Sequence, residues 1–275
     1  MTAPAGPTVE LRVWGVDRVL PALGRMSSGR RVLRRTPGLR FAKLLGTGTA
    51  RTFTLESADL KHWAALTVWH DADAASAASD SVVFRRWRES STEELRITMR
   101  PLRSKGRWSR VDPFETVRSS TDHDASGPDW TGPVAALTRA RLRPTKMASF
   151  WRAVPPVSTE LAGAQGNRLA LGVGELPLGV QGTFSIWDSA QDLTGFAYRS
   201  PAHLSAVRRT APSRWYAEEL FARLAVTEVV ARGPAPQAQG HPLRRGGQDQ
   251  DPAGGRRDAD VQLAVLLLVD TDVIT

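Results

Sequence analysis

The chain has 275 residues, of which 41% are hydrophobic and nine are Trp, and its formal net charge is +9. This length exceeds the roughly 100–200 residues usual for one domain, so it predicts either one large core or two fused modules. No Cys is present, which excludes disulfides, thiolate-ligated zinc, iron–sulfur clusters and thiolate-ligated haem.

The positive charge lies in the first 232 residues. Residues 233–275 contain four Arg and six Asp, a net charge of −2, so residues 1–232 have a net charge of +11. The densest cationic cluster comprises Arg25, Arg30, Arg31, Arg34, Arg35, Arg40 and Lys43. Such a cluster could bind nucleic-acid phosphates or an anionic membrane surface, and a solvated Arg-rich face is an equal alternative. The cluster alone does not favour a nucleic-acid partner.

The N-terminal residues do not resemble a secretion signal. Met1 to Val9 contain Pro4 and Pro7 and no apolar segment of signal-peptide length, and no run of 18 apolar residues occurs in the chain. We therefore expect a cytoplasmic protein, with peripheral contact to an anionic membrane left open.

Hydrophobic periodicity predicts the order β, α, β, β, α, β in the first part of the chain. Strands are expected at 9–19, 39–45, 63–69 and 94–102, a helix at 20–34, and one or two helices within 72–87. The apolar alternation of Val9, Leu11 and Val13 supports the first strand, and the turn Thr36-Pro37-Gly38 precedes the second. This order is the ferredoxin-like pattern.

A similar order is predicted again after residue 132. Strands are expected at 134–142, 169–174, 183–187 and about 220–231, and helices at 145–151, 189–198 and 201–209. Ser189 and Asp192 have the spacing of a capping box at the start of one helix. The intervening residues 103–132 are rich in Ser, Asp, Gly and Pro and are expected to form a linker on the surface.

Matching segments in the two halves predict an internal repeat. Gly46-Thr47-Gly48 is matched with Gly172-Val173-Gly174, and the strand ending at Trp69 with the strand ending at Trp187. We therefore predict an α+β fold in which two ferredoxin-like repeats are fused in one chain, as in dimeric α+β barrels. The expected parts are an N-terminal half (1–102), a linker (103–132), a C-terminal half (133–232) and a tail (233–275) of disordered composition.

Familiar catalytic motifs are missing from the sequence. Neither Gly-x-Gly segment completes a phosphate-binding loop, and no H-E-x-x-H or G-x-S-x-G occurs. The adjacent carboxylates Glu93-Glu94 and Glu218-Glu219 would point to different faces of a strand or helix, which makes them poor acid and base partners.

Among the five histidines, His203 is the best candidate for ligating a metal. His123 and His241 lie in expected loops or the tail, and His62 and His70 flank the strand at 63–69. His203 lies at the start of the expected helix at 201–209, one turn before Val207, where a neutral imidazole could bind haem iron. An ordinary, partly buried histidine is the commoner outcome, and the residues alone favour it.

The sequence resembles the spheroidene monooxygenase family, the acyclic carotenoid ketolases. The resemblance lies, in chain order, in TPGLRFAKLLGTGT (36–49), FRRWR (84–88), TGPVAALTRARLRP (131–144), FWRAVP (150–155), FSIWDS (184–189) and AHLSAVRRT…WYAEELFARL (202–224). It implies a haem-containing monooxygenase that acts on a long apolar polyene such as an acyclic carotenoid. It also implies a ferredoxin-type electron donor and makes His203 the candidate axial ligand of the haem iron.

A long polyene requires an elongated apolar cleft. Aromatic residues cluster in the same half as His203, and we expect substrate contacts from Trp187, Tyr198, Trp215 and Tyr216, whereas Phe184 and Phe196 are better explained as core. The alternative function is a non-catalytic module of the same fold that binds haem or another apolar ligand. Pairing of two chains into a homo-oligomer is left open.

Overall fold

A computed structural model describes residues 6–48, 58–114, 130–143, 145, 164–175, 182–199 and 216–233. The strands in these ranges are β1 (Thr8–Gly15), β2 (Leu39–Gly48), β3 (Ala58–Trp69), β4 (Glu93–Gly106), β5 (Val134–Leu142), β6 (Asn167–Gly174), β7 (Gly182–Trp187) and β8 (Tyr216–Arg232). The helices are α1 (Val19–Leu33), α2 (Ala72–Ala78), α3 (Val82–Ser90) and α4 (Ala190–Arg199). The fold is therefore α+β.

The eight strands close into an antiparallel barrel in the order β1-β3-β2-β6-β7-β5-β8-β4. The first four strands of the chain have the order β4-β1-β3-β2, and the last four have the corresponding order β8-β5-β7-β6. The two sets join through β2 with β6 and through β4 with β8. Every strand thus has two neighbours, so the barrel has no open sheet edge.

Apolar side chains fill the barrel interior, as the strand alternation requires. Val9, Leu11 and Val13 point inward from β1, and Leu137 and Phe184 point inward from β5 and β7. All five are at most 1% exposed. The interior is therefore a packed core, and Phe184 belongs to it as predicted.

The strand pairing shows which residues of the two halves occupy equivalent positions. Thr8 pairs with Trp69 in the first half, and Val134 pairs with Trp187 in the second. Each of these indoles donates a hydrogen bond two residues back, Trp69 to Thr67 Oγ1 at 3.0 Å and Trp187 to Ser185 Oγ at 2.9 Å. The predicted correspondence between these strand ends therefore has the same local geometry on both sides.

The Gly-x-Gly segments correspond with an offset that the sequence does not reveal. Ala42 pairs with Thr67 and Ala170 with Ser185, so the register relates Gly46 to Gly174 rather than to Gly172. These two glycines also pair with each other where β2 meets β6. Both segments are thus parts of strands at the junction of the halves.

Several predicted boundaries differ from the structure. β1 ends at Gly15, and α1 begins at Val19. β4 continues to Gly106 through pairing with β8, so its last residues fall in the range expected to be a linker. In that range Trp108 and Phe114 are not on the surface but are buried in the barrel core. The helices expected at 145–151 and 201–209, and the tail 233–275 beyond its first residue, lie outside the described ranges.

Candidate functional site

Helix α4 packs on one end of the outward surface of the second half. Asp192 donates its backbone N–H to Ser189 Oγ at 3.1 Å, which confirms the predicted cap at the start of this helix. Leu193 packs with Trp187, which is fully buried. The ring of Phe196 lies 5.3 Å from that of Trp187. This end of the surface is an apolar core.

We define the second outer face by eight outward-facing positions of β5, β6 and β7. They are Ala136, Thr138, Ala140, Ala170, Gly172, Thr183, Ser185 and Trp187. All except Trp187 have short side chains. Thr138, Thr183 and Ser185 are nevertheless only 3–4% exposed. The face is thus buried although its own side chains occupy little volume.

The first outer face consists of the register-equivalent positions on β1, β2 and β3. They are Glu10, Arg12, Trp14, Ala42, Leu44, Ala65, Thr67 and Trp69. The register matches three positions of β5 with three of β1. Ala136 corresponds to Glu10, Thr138 to Arg12, and Ala140 to Trp14. Gly172 likewise corresponds to Leu44. At four of the eight positions, those of Glu10, Arg12, Trp14 and Leu44, the first face therefore has a much larger side chain than the second.

A carboxylate occupies equivalent positions at the edge of both faces. In the first half Glu94 pairs with Trp14, whose indole N–H donates a hydrogen bond to Glu94 Oε1 at 3.2 Å. The carboxylate of Glu94 also lies within 3.9 Å of three guanidinium groups, those of Arg12, Arg88 and Arg232. In the second half Glu219 pairs with Ala140.

The surroundings of Glu219 change its protonation. Burial raises the pKa of Glu219, and the charge of Lys105 opposes this effect only in part. Within the described ranges its carboxyl accepts no hydrogen bond. Glu219 can therefore retain a proton at a pH where an exposed glutamate would lose it.

A second polar group lies inside one end of the barrel. Lys43 Nζ is 2.8 Å from Glu175 Oε2, and Trp108 Nε1 donates to Glu175 Oε1 at 2.6 Å. Arg139 reaches Glu175 at 3.4 Å and forms an ion pair with Glu218. Burial raises the pKa of Glu175, but the hydrogen bonds from Lys43 and Trp108 outweigh it and leave the pKa below its ordinary value.

The turn at Ser109 and Arg110 closes this end of the barrel. Both residues have positive φ, 56° and 69°, which is uncommon for residues other than Gly. Their backbone N–H groups donate to the two carboxylate oxygens of Glu218 at 3.1 and 2.7 Å. These bonds and Arg139 lower the pKa of Glu218 against the effect of its burial. With all its charges paired, the cluster is best explained as structural.

His62 lies between two carboxylates near the start of β3. Its Nδ1 is 2.6 Å from Asp59 Oδ2, and its Nε2 is 2.5 Å from Glu93 Oε1. The hydrogen bond to Asp59 raises the pKa of His62 against the effect of burial, and Glu93 adds to the increase. Because both ring nitrogens are engaged, His62 does not offer a nitrogen to a metal.

The structure describes only part of the predicted site. His203 and Trp215 lie outside the described ranges, and for Tyr198 only its place in α4 is described. Trp187 lies on the second outer face, under α4. Tyr216 begins β8 and is half-buried. The role of these residues in binding substrate stays a prediction.

Sequence reasoning missed the Lys43 cluster and Glu219. One signal was available, because Lys43 lies between the inward-facing Phe41 and Leu45 in an alternating strand, and Arg139 follows Leu137 in the same way. A charge on the inward face predicts a buried partner. The partner itself could not be found, since Glu175 is 132 residues from Lys43.

Comparison with known sequences finds relatives that share one name. The chain is 34% identical over 202 residues to a spheroidene monooxygenase of Rhodobacter capsulatus, which covers 73% of this chain and 81% of the relative. It is 32% identical over 216 residues to a spheroidene monooxygenase of Rubrivivax gelatinosus, with 77% and 75% covered. No protein-family model matches the chain.

Among solved structures, an aldoxime dehydratase in complex with butyraldoxime resembles the chain with a TM-score of 0.53. The two are 12% identical, and the match covers 86% of each chain. At this identity the similarity concerns the fold alone. None of the helices in the described ranges has the length and apolar character that a membrane span requires.

Proposed function

We propose that this chain, which belongs to the spheroidene monooxygenase family and is a monooxygenase, oxygenates a long apolar polyene of the acyclic carotenoid class. One oxygen atom of O2 would enter a C–H bond and the other would leave as water, with electrons from a ferredoxin-type donor. A second hydroxylation of the same carbon would give a gem-diol, which loses water to become a ketone.

The observation that supports a site in the second half is the contrast between the two outer faces. Arg12, Trp14 and Leu44 fill the first, whereas Thr138, Ala140 and Gly172 stand at the equivalent positions of the second. A flat cofactor or an extended polyene needs such short side chains beside it. The described residues of the second face are therefore compatible with both.

Haem is the cofactor that we propose. In the described ranges, His62 has both ring nitrogens hydrogen-bonded to carboxylates, and His70 is exposed at the end of β3 in the first half. Neither is suited to ligate a haem in the second half. The family resemblance points to His203, which would hold the iron, and the haem would supply the activation of O2.

The residues of the second outer face would hold and shield the substrate. Trp187, packed under α4, and Phe221, which pairs with Thr138, are both buried and would provide apolar contact. Tyr198, Trp215 and Tyr216 are proposed as further contacts. Exclusion of water by such side chains favours an apolar polyene over polar compounds.

We also propose that the two halves are copies of one unit, as in dimeric α+β barrels. The matching strand orders support this. Register shifts support it as well, because β2 has one between Leu39 and Phe41, and β6 has one at the equivalent place, between Asn167 and Leu169. A bulge shared at one register position is a feature that copies of a unit are expected to retain.

The first experiment is the visible absorption spectrum of the full chain expressed with haem supplied. We expect a Soret band in the parent that is lost or shifted in His203→Ala. His70→Ala is the matched control, since His70 is exposed and lies in the first half. Oxygen consumption with a reductant and an acyclic carotenoid then separates an oxygenase from a module that only binds the ligand. A parent chain that takes up no haem would contradict the mechanism.

A further inference from the structure

Helix α1 has a solvent-exposed side that combines apolar and cationic residues. Leu20 is 80% exposed, Leu23 40% and Val32 46%. The opposite side packs on the sheet through Ala22, Met26, Gly29 and Leu33. The exposed leucines therefore do not belong to the core.

The same stretch contains no acidic residue from Arg18 to Lys43. In the last turn of α1 and just after it lie Arg30, Arg31, Arg34 and Arg35, all exposed. Within the described part of the chain, Arg31, Arg34 and Arg35 form no ion pair. Their charge is therefore available to an anionic partner.

The start of β3 lies beside the turn that leads into α1, at the apolar end of this surface. Val16 donates its backbone N–H to the Lys61 carbonyl at 2.8 Å, which places Lys61 beside the turn that leads into α1. The neighbouring Leu60 is 51% exposed, and Lys61 is exposed as well. The nearby Asp59 is hydrogen-bonded to His62.

The geometry points to an anionic lipid bilayer as the partner of this surface, which consists of Leu20, Leu23, Val32, Leu60, Arg31, Arg34 and Arg35. A helix of 15 residues is about 22 Å long and can lie in the membrane interface with its leucines among the acyl chains. Its arginines then neutralise the lipid headgroups. This inference rests on the proposed function, because an acyclic carotenoid dissolves in lipid.

The test uses the full chain and vesicles of phosphatidylcholine with and without phosphatidylglycerol. We expect co-sedimentation with the anionic vesicles that decreases with added salt. Two variants should each weaken binding roughly tenfold or more. One is the double variant Leu20→Asp/Leu23→Asp, and the other is the triple variant Arg31→Glu/Arg34→Glu/Arg35→Glu. The matched control is Val229→Asp/Val230→Asp, because these β8 valines are 42% and 41% exposed but lie outside the surface. The control should bind like the parent.

Activity on detergent-solubilised carotenoid separates this inference from the proposed function. The α1 variants should retain parent activity in detergent and lose it with vesicle-borne carotenoid. A parent that converts detergent-solubilised carotenoid but ignores anionic vesicles would overturn the docking surface alone. Loss of activity in the Arg variants in detergent, restored by excess ferredoxin, would instead identify an interface for an acidic protein and also overturn the lipid assignment.

Discussion

The two outer faces of the barrel have the same strand register but differ in the size of their side chains at several equivalent positions. On the first, Trp14 stacks on Trp87 with ring centres 5.0 Å apart, and the guanidinium of Arg12 lies 4.2 Å from the ring centre of Phe84. On the second, Thr138 and Ala140 occupy the positions of Arg12 and Trp14. In the proposed function the first half, with these packed side chains, serves stability, and the second half carries the ligand.

The two carboxylates at the edges of the faces, Glu94 and Glu219, also have different surroundings. Glu94 is held by Trp14 and by the arginines around it. Glu219 lies beside Ala140, and burial raises its pKa. The second face, which lacks the large neighbours Arg12 and Trp14, thus differs from the first in the surroundings of its edge carboxylate as well as in shape.

The largest effect is expected from Trp87→Ala in α3, which supports the first face. Trp87 is 1% exposed and stacks on Trp14, so truncation leaves a cavity. We expect a loss of about 3–5 kcal/mol in the free energy of unfolding, measured by urea denaturation. Haem uptake by the molecules that remain folded should not change.

Trp87→Phe is the graded control for this variant. The indole N–H of Trp87 has no hydrogen-bond partner in the described part of the chain, so Phe removes volume without breaking a hydrogen bond. Its destabilisation should be smaller than that of Trp87→Ala. A loss of haem or substrate binding in the folded Trp87→Phe variant would mean that the first face also takes part in the site.

A smaller effect is expected from filling the second face with Thr138→Phe. Thr138 is 4% exposed and lies between β7 and β8 in the sheet. A ring at this position would occupy the volume that we assign to the ligand. We expect carotenoid turnover to fall by about tenfold, equivalent to roughly 1.4 kcal/mol in transition-state stabilisation.

Thr138→Val is the matched control for Thr138→Phe, because it keeps the volume of the side chain. Circular dichroism and the melting temperature show whether each variant is folded. If folded Thr138→Phe converted carotenoid as fast as the parent, the second face would not be the site, and the contrast between the faces would have only a structural meaning.

Much of the barrel could be predicted from the sequence because its strands alternate. Val9, Leu11 and Val13 predicted the first strand, and the strand ends at Trp69 and Trp187 were matched correctly. Local patterns cannot show where a strand stops when pairing extends it. β4 continues to Gly106 because it pairs with β8 more than a hundred residues later, and Trp108 enters the core from a segment of linker composition.

The candidate site was less predictable for the same reason. Thr138 and Glu219 were singled out by comparison with Arg12 and Glu94, which occupy the equivalent positions of the first half. That comparison requires the strand register of the barrel, which the sequence does not give. The sequence placed the Gly-x-Gly segments two residues out of register. His203 was proposed from a family resemblance, and it stays a prediction.

The smallest effect is expected from Glu219→Gln, compared with Glu94→Gln at the equivalent position. Because burial raises the pKa of Glu219 above its ordinary value, the folded state favours the protonated carboxyl. Below the pKa that Glu219 has in the unfolded chain, the carboxyl is protonated in both states and does not lower the free energy of unfolding of the parent. As the pH rises through the pKa of Glu219 in the folded state, the parent loses stability. Gln cannot ionise, so Glu219→Gln should equal the parent in acid and exceed it at neutral pH. Since Glu219 is only half-buried, the gain should be less than about 1 kcal/mol.

Glu94→Gln should have the opposite sign, because it removes the charge that faces Arg12, which is 1% exposed, and the ion pairs with Arg88 and Arg232. Urea denaturation of the parent and both variants across the acid to neutral range measures the difference. A loss of stability in Glu219→Gln at neutral pH would show that its carboxylate is held by a cation, as in the first half. The two faces would then be chemically alike at this edge, and the reason for the short side chains of the second face would have to be sought in its shape alone.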